Sequence, residues 1–238
     1  MEYVCDLDKK RAVLFQKKYG VHLTSTDPLE CIRDEKVDIV IIATFPSTHL
    51  ELLSLCLQYH KHVLCEKPIA GNCEEGKAFL RQVKEHPECK VLIGHILRHN
   101  ATYQRVAQMI QNGAIGKPIA FRMVQNHHTM DWEKYKRMLG EASPLLDCGV
   151  HYVDIIKWFT GSGVKKVAAS GARTEQDLPE GSFNYGMMMI ELWDGPVGYY
   201  EAGWSNNLSA DNLKEFSGPR GSIRIIYRKD RQTPQEEG

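Results

Sequence analysis

Three places in this 238-residue sequence hold side chains whose types and spacing could do chemistry. One is HVLCEKPIA, residues 62–70, where a short apolar run gives way without a polar lead-in to Glu66, Lys67 and Pro68. A second is Asp147 and His151, four positions apart, which puts them on one face if the segment is helical. A carboxylate beside an imidazole can orient the ring and support its charged form. Histidine titrates near neutral pH, which suits it to proton transfer from an alcohol. The third is Asp6, directly after the strand-like Tyr3-Val4-Cys5. Each also has a plain structural reading: Lys67 as a solvated turn residue, Asp6 or Asp147 as a helix N-cap, His151 as a satisfied core histidine.

The elements that would position these groups alternate strand and helix through the first ninety-odd residues. A helix is expected over Lys9–Tyr19, closed by Gly20 in the left-handed conformation. Val21-His22-Leu23 reads as a short strand. Asp27, Pro28 and Glu30 read as N-cap, N1 and N3 of a helix with a capping box. Residues 37–43, VDIVIIA, form a nearly continuous β-branched run, the composition of a parallel strand buried on both faces. A helix over His49–Tyr59, the strand HVLC, a helix over Glu74–Glu85 and the strand Val91–Ile93 complete the series. This rhythm implies a parallel sheet flanked by helices. Open parallel sheets bind ligands outside the carboxyl ends of their strands. Asp6, then Thr44 with Pro46 and His49, then Glu66 and Lys67 all follow such ends.

After about Ala101 the pattern changes. A helix runs to Gln111 and stops near Asn112-Gly113. Strand-like stretches follow at 118–127, 164–173, 183–193 and 196–205, with a helix near Val150–Phe159. Strands in succession suggest an α+β unit with a mostly antiparallel sheet. The expected domains are residues 1–98 and 99–238.

Composition narrows the function classes. Thirty basic residues balance thirty acidic ones, so charge gives no reason to expect nucleic acid or an anionic membrane as partner. No apolar run approaches the ~20 residues of a membrane span. The seven cysteines are scattered, odd in number and without a CxxC pair, which argues for free thiols in a reducing, cytoplasmic setting and against a disulfide framework or a zinc site. His127, His128 and Asp131, with His151, are the nearest approach to a metal set, and they support a hydrolase reading only weakly.

Several segments, in order, resemble the Gfo/Idh/MocA family of nicotinamide-dependent oxidoreductases, the glucose-fructose oxidoreductase and inositol dehydrogenase group. HVLCEKPIA is similar to its EKP segment, and residues 37–68 to the strand, helix and strand before that lysine. GAIGKPI at 113–119 resembles the entry to its second domain, LLDCGVHYVDI at 145–155 its D-x-G-x-H segment, and GPRGSIRI at 218–225 a late glycine turn.

The resemblance implies a catalytic set of Lys67, Asp147 and His151 acting between the two domains. His151 would take the hydroxyl proton, Lys67 would stabilise charge on the substrate oxygen, and Asp147 would hold the substrate and the imidazole. Asp6, Thr44, Pro46, His49, Glu66 and Lys67 would line the cofactor, and Arg98 would join Asp147 and His151 at the substrate. Asp6 favours NAD over NADP, because a carboxylate accepts from ribose hydroxyls and repels a 2′-phosphate. Lys9, Lys10 and Arg11 beside it keep NADP open. The implied substrate is a sugar, polyol or related cyclic alcohol, and the implied assembly a homo-oligomer paired through the second-domain sheet.

Two departures qualify this. The acidic residue of a dinucleotide fold follows a strand and Gly-rich turn by ~20 residues, yet here it is Asp6, and no GxGxxG occurs anywhere in the sequence. The chain also ends soon after GSIRI. The expectation is a chain truncated at both ends: an incomplete Rossmann-like parallel sheet without its first strand or Gly-rich turn, followed by the α+β domain. In the strand order 3-2-1-4-5-6 that first strand is central, so its two neighbours would stand unpaired. Whether such a chain is an active enzyme is left open, against a dinucleotide-sensing or protein-binding regulator, or an inactive fragment, of the same fold.

Overall fold

The computed structural model describes residues 1–128 and 132–226, and its contacts divide the chain into Met1–Gly94 and His95–Gly238. In the first unit β1 (Tyr3–Cys5), α1 (Lys9–Tyr19), β2 (Leu23–Ser25), α2 (Pro28–Arg33), β3 (Ile39–Ile42), α3 (Pro46–Gln58), β4 (His62–Cys65), α4 (Cys73–Glu85) and β5 (Val91–Ile93) follow one another. Local chemistry sets the helix ends. Asp8 caps α1 by accepting from Lys10 N, and Gly20 ends it at φ 66°. Asp27 caps α2 by accepting from Leu29 N, with Pro28 at the first helical position.

Three expectations change here. The second strand lies at Leu23–Ser25, not 21–23, in parallel register with Tyr3–Cys5. The capping box does not form as expected: Ser25 Oγ takes the Asp27 N–H at 3.0 Å, and its hydroxyl donates to the Glu30 carboxylate. Ser25 thus does the work assigned to Glu30.

The third change concerns burial. All pairings in this unit are parallel, but they form two separate sheets, β1-β2 and β3-β4-β5. Among the described residues β1 pairs only with β2, and β3 only with β4, which is the break expected at the centre of the 3-2-1-4-5-6 order. The core, with Ile42, Leu53, Cys56, Leu57, Val63, Cys65 and Phe79, lies on one face of the three-stranded sheet. On the other face Ile39 and Ile41 are 62% and 60% exposed, and Leu92 is 61% exposed. VDIVIIA has the composition for two covered faces and receives one, because α3 and α4 share the Val40/Ile42 side.

The second unit contains α5 (Ala101–Gln111), β6 (Ala120–His128), α6 (Trp132–Leu139), α7 (Pro144–Asp147), α8 (Gly149–Thr160), β7 (Val164–Ala172), β8 (Tyr185–Leu192), β9 (Val197–Ser205), β10 (Asp211–Gly218) and β11 (Gly221–Ile225). Its strands form one sheet in the order β11-β10-β6-β9-β8-β7. Every neighbouring pair is antiparallel except β6 and β9, which run parallel in unbroken register from Ala120↔Val197 to His128↔Ser205. The sheet is therefore mixed. Both long helices bury residues at helical spacing: Tyr103, Val106, Ala107 and Ile110 on α5, and Tyr152, Ile155, Ile156 and Phe159 on α8. They meet Phe121, Met123, Ile190, Tyr200, Trp204 and Phe216 of the sheet in one core. The late glycine turn is the β10–β11 hairpin, with Gly221 at φ 146°.

Candidate active site

In the first unit the carboxyl ends of β3, β4 and β5 lie along one edge, because the three strands are parallel and in register. Most of the expected cofactor residues gather there. Glu66 N–H donates to Ile42 O at 2.8 Å and Gly94 N–H to Cys65 O at 2.8 Å, which prolongs the ladder past the strand ends. The Glu66 carboxylate accepts from Lys67 N at 3.2 Å and lies against Gly94, where any Cβ would meet it at 3.0 Å. A side chain at position 94 would therefore require the Glu66 carboxylate to shift by a few tenths of an ångström. Lys67 follows, half-buried, in a cis peptide with Pro68.

Pro46 opens α3 and is buried. His49 is fully buried one turn later, and its ring Nε2 lies 3.1 Å from Thr44 O, where it can donate. Its Nδ1, also buried, has no partner among the described residues. Thr44 is exposed, with its hydroxyl 2.7 Å from that of Thr48.

Asp6 belongs to the other sheet, at the end of β1. Its Oδ1 accepts from Asp8 N at 2.8 Å and from Arg11 Nε and Nη2 at 3.2 and 2.9 Å. The pair is exposed, so its contribution to stability is small, ~0–1 kcal/mol. The pair sets a carboxylate acceptor and a guanidinium side by side just past the end of β1.

In the second unit Ser143 caps α7 by accepting from Leu146 N at 3.3 Å, and Cys148 carries the chain in helical conformation into α8. Asp147 and His151 therefore share one nearly continuous helical turn. His151 is buried, and its ring meets His95 edge to face at 6.3 Å. Asp147 is half-buried and accepts from the Cys148 thiol at 3.8 Å. Gly149 lets this turn approach the sheet: a Cβ there would meet the Tyr200 ring at 3.0 Å. Arg98 is placed differently from expectation. Its Nε and Nη2 grip Asp154 at 2.7 and 2.8 Å, and its guanidinium lies 5.4 Å over the Trp158 ring, so two of its donors hold α8.

Sequence reasoning missed Tyr200 and Lys214. Tyr200 is fully buried, with its hydroxyl unpartnered among the described residues. Burial holds its pKa well above the usual range, and the nearby Cys148 and Asp147 push the same way. Lys214 is a fully buried lysine on the core side of β10. Its ammonium donates to Val124 O at 2.7 Å and to Asn212 Oδ1, and sits 4.4 Å over the Tyr152 ring. Burial lowers its pKa to about 7. The signal for Lys214 was weak but present, since Leu213, Lys214 and Phe216 break polar/apolar alternation inside DNLKEFSG. Of the metal candidates, His127 packs 6.5 Å from Tyr135 ring to ring, and Asp131 lies outside the described residues.

Comparison with known proteins gives this arrangement a context. Residues 1–95 match the model of an oxidoreductase family with an NAD-binding Rossmann fold, and residues 103–224 match that of the GFO/IDH/MocA C-terminal domain. The chain belongs to the GFO/IDH/MocA family. It is 29% identical over 220 residues to the scyllo-inositol 2-dehydrogenase (NAD(+)) of Bacillus subtilis, covering 91% of this chain and 63% of that one. It is 25% identical over 222 residues to the myo-inositol 2-dehydrogenase of Thermotoga maritima, covering 92% and 66%. The crystal structure of a myo-inositol 2-dehydrogenase from Lactobacillus plantarum superposes with a TM-score of 0.86 at 24% identity, over 94% of this chain and 68% of that one, which speaks to fold. The chain spans 63% and 66% of the length of these two curated relatives.

The residues present fit a dinucleotide in part. Asp6 offers a carboxylate acceptor of the kind a ribose needs, and Glu66, Gly94 and His49 stand at the strand ends of the three-stranded sheet. The backbone-amide cradle of a GxGxxG turn, which would hold a pyrophosphate, is not among these 238 residues.

Proposed function

We propose that this chain forms the cofactor- and substrate-binding body of an NAD-dependent dehydrogenase acting on a cyclic polyol or sugar alcohol. The observation that carries the reading is the pairing of Asp147 and His151 on one turn, in a chain whose two segments match the two domains of the family. Asp6 at the end of β1 would accept from the adenosine ribose, while Thr44, Pro46, His49 and Glu66 would line the rest of the strand-end edge. NAD, when bound, accepts the hydride. His151 takes the proton of the reacting hydroxyl, and Asp147 orients the imidazole and the substrate. Lys67 donates a hydrogen bond to the substrate oxygen and stabilises charge as it develops. Arg98 acts chiefly by holding α8 through Asp154, with its remaining N–H donors available to substrate.

Inositols are the first substrates to try, because two relatives carry that name. The cytoplasm suits seven cysteines that are all free, and none of the described helices is long and apolar enough to cross a membrane. The open face of the six-stranded sheet, with Met187 and Met189 exposed beside Tyr199, would pair with a second copy. Size-exclusion chromatography with light scattering tests that: a monomer at all concentrations removes it.

The decisive experiment is an NADH titration followed by bound-nucleotide fluorescence, with NADPH alongside, and then turnover with inositols. Saturable NADH binding with turnover lost in Lys67→Ala supports the reading. Retained turnover in Lys67→Ala overturns the mechanism. No binding by folded protein favours a chain that does not itself bind cofactor.

A further inference from the structure

The first unit gathers a second set of side chains at the opposite end of β4 from Lys67. His60 stands in the turn between α3 and β4, and His86, Glu88 and Cys89 in the turn between α4 and β5. Glu88 Oε1 is their common centre. It lies 3.8 Å from His60 Nδ1, 3.0 Å from His86 Nδ1 and 4.0 Å from Cys89 Sγ. The ligand atoms of His60, Glu88 and Cys89 are all within 4.8 Å of one another. We propose that His60, Glu88 and Cys89 form a three-ligand binding site for a single Zn²⁺-class ion, with solvent as the fourth ligand, clipping the α3–β4 turn to the α4–β5 turn.

Three arguments support this. The first is donor type: one imidazole, one thiolate and one carboxylate make an NOS set, which suits a borderline ion such as Zn²⁺. The second is charge. A thiolate and a carboxylate cancel the two positive charges of the ion, so the occupied site is neutral. The third is spacing. Bonds of ~2.0–2.3 Å arranged tetrahedrally put neighbouring ligand atoms ~3.3–3.6 Å apart. Glu88 Oε1 lies 3.8 Å from His60 Nδ1 and 4.0 Å from Cys89 Sγ, a few tenths beyond that range, and the three ligand atoms all lie within 4.8 Å of one another. His60 and Glu88 are exposed and free to close the remaining tenths, while Cys89 is 5% exposed and anchored in the core.

Backbone geometry brings the two turns together. His60 takes φ 55°, a left-handed position at which histidine is one of the tolerated side chains. Cys89 N–H donates to His86 O at 3.1 Å, closing a turn that sets His86, Glu88 and Cys89 on one side. Binding replaces the thiol proton with the metal and releases that proton to solvent. Because the ligand is the thiolate, metal and proton compete for Cys89 Sγ.

The site is independent of turnover, and its test needs none. The 238-residue chain, stripped with a chelator, is titrated with Zn²⁺ by calorimetry and with Co²⁺ by absorbance. The expected result is one ion per chain and a Co²⁺ spectrum with both thiolate charge-transfer and intense tetrahedral bands. Cys89→Ser removes the charge-transfer band, and His60→Ala and Glu88→Gln each weaken Zn²⁺ at least about tenfold. His60→Ala changes an exposed side chain and guards against a Cys89 variant that fails to fold. Absence of a thiolate band in the parent chain overturns the assignment, as does unchanged Zn²⁺ affinity in His60→Ala.

Discussion

The three-stranded sheet of the first unit and the six-stranded sheet of the second each have one face packed on a core and one open, yet the open faces are built from different residues. In the first unit that face carries Ile39, Ile41 and Leu92, all well exposed. In the second it carries cross-strand pairs such as Arg122–Glu215 at 2.6 Å and Asn126–Glu201 at 2.6 Å, mixed with Met187 and Met189. Strands of a parallel sheet read as continuous apolar runs and suit cover on both sides, whereas an antiparallel sheet alternates and tolerates water on one face. The difference teaches that strand composition records the environment a strand suits, which is not always the one it has. On the proposed reading it also separates labour: the strand ends of the parallel unit would receive the cofactor, and Asp147 and His151, on a packed helix of the mixed-sheet unit, would do the acid–base work.

The sharpest way to break that division is His151→Ala. It should lower kcat by about 10²–10⁴-fold while leaving NADH affinity within about twofold; equal losses in both would mean the units do not divide the work. Next comes packing. All four tryptophans, 132, 158, 193 and 204, lie in the second unit, so their fluorescence reports on it alone. Phe216→Ala, which removes a ring 5.1 Å from Phe159 and 6.2 Å from Phe121, should cost ~3–5 kcal/mol by urea unfolding read at tryptophan. Leu53→Ala, in the first-unit core, should move that tryptophan midpoint less and the far-ultraviolet dichroism midpoint more.

Lys214 gives a pH test of the second unit. Its amine titrates near 7 when folded and near ~10.4 when unfolded. Below pH 7 both states hold the proton, and the folded state carries the full cost of burying charge. Between the two pKa values the unfolded chain binds the extra proton, so this residue makes stability rise with pH, by at most ~1.4 kcal/mol per unit. Lys214→Met should flatten that rise and gain most below pH 7; an identical pH slope in both proteins would show that the amine is not buried as described. In the first unit, Asp6→Ala should weaken NADH by roughly 10–100-fold. It should also raise the NADPH/NADH affinity ratio, because Arg11 loses its carboxylate partner and can meet a 2′-phosphate. The smallest effect is expected at Ile41→Ala, within about 0.5 kcal/mol, since its side chain is already in water. A loss of several kcal/mol there would mean that the open face is covered in solution.

Much of this was legible in one dimension. Helix ends at Gly20 and Asp27 are local, because they depend on the residue itself and on amides within a few residues. The i, i+4 spacing placed Asp147 and His151 on one face before any fold was known. The break in the parallel sheet was also legible, since strand order in a dinucleotide fold and the absence of a GxGxxG turn are both readable without coordinates. What local signals missed was set by distant partners. Ser25 displaced Glu30 at the α2 cap because β2 runs two residues later than its apolar residues suggest. Arg98 turned to Asp154, 56 residues away, where a bidentate fork was available.

By itself, the sequence determined the alternation of strand and helix in the first unit, the helix ends at Gly20 and Asp27 and the residue types available for proton transfer, since these depend on neighbours within a turn or two; it did not show β10, α6 or α7, nor that α3 begins at Pro46. Only the tertiary structure decided which face of VDIVIIA would be covered, that β6 and β9 would pair in parallel, and that Lys214 would lie buried over Tyr152. It alone decided, too, that His60 would meet Glu88 and Cys89 across 28 residues of chain. The physical reason is the same in each case: burial, strand pairing and the convergence of ligands depend on distances between segments far apart in the chain, which no local pattern encodes.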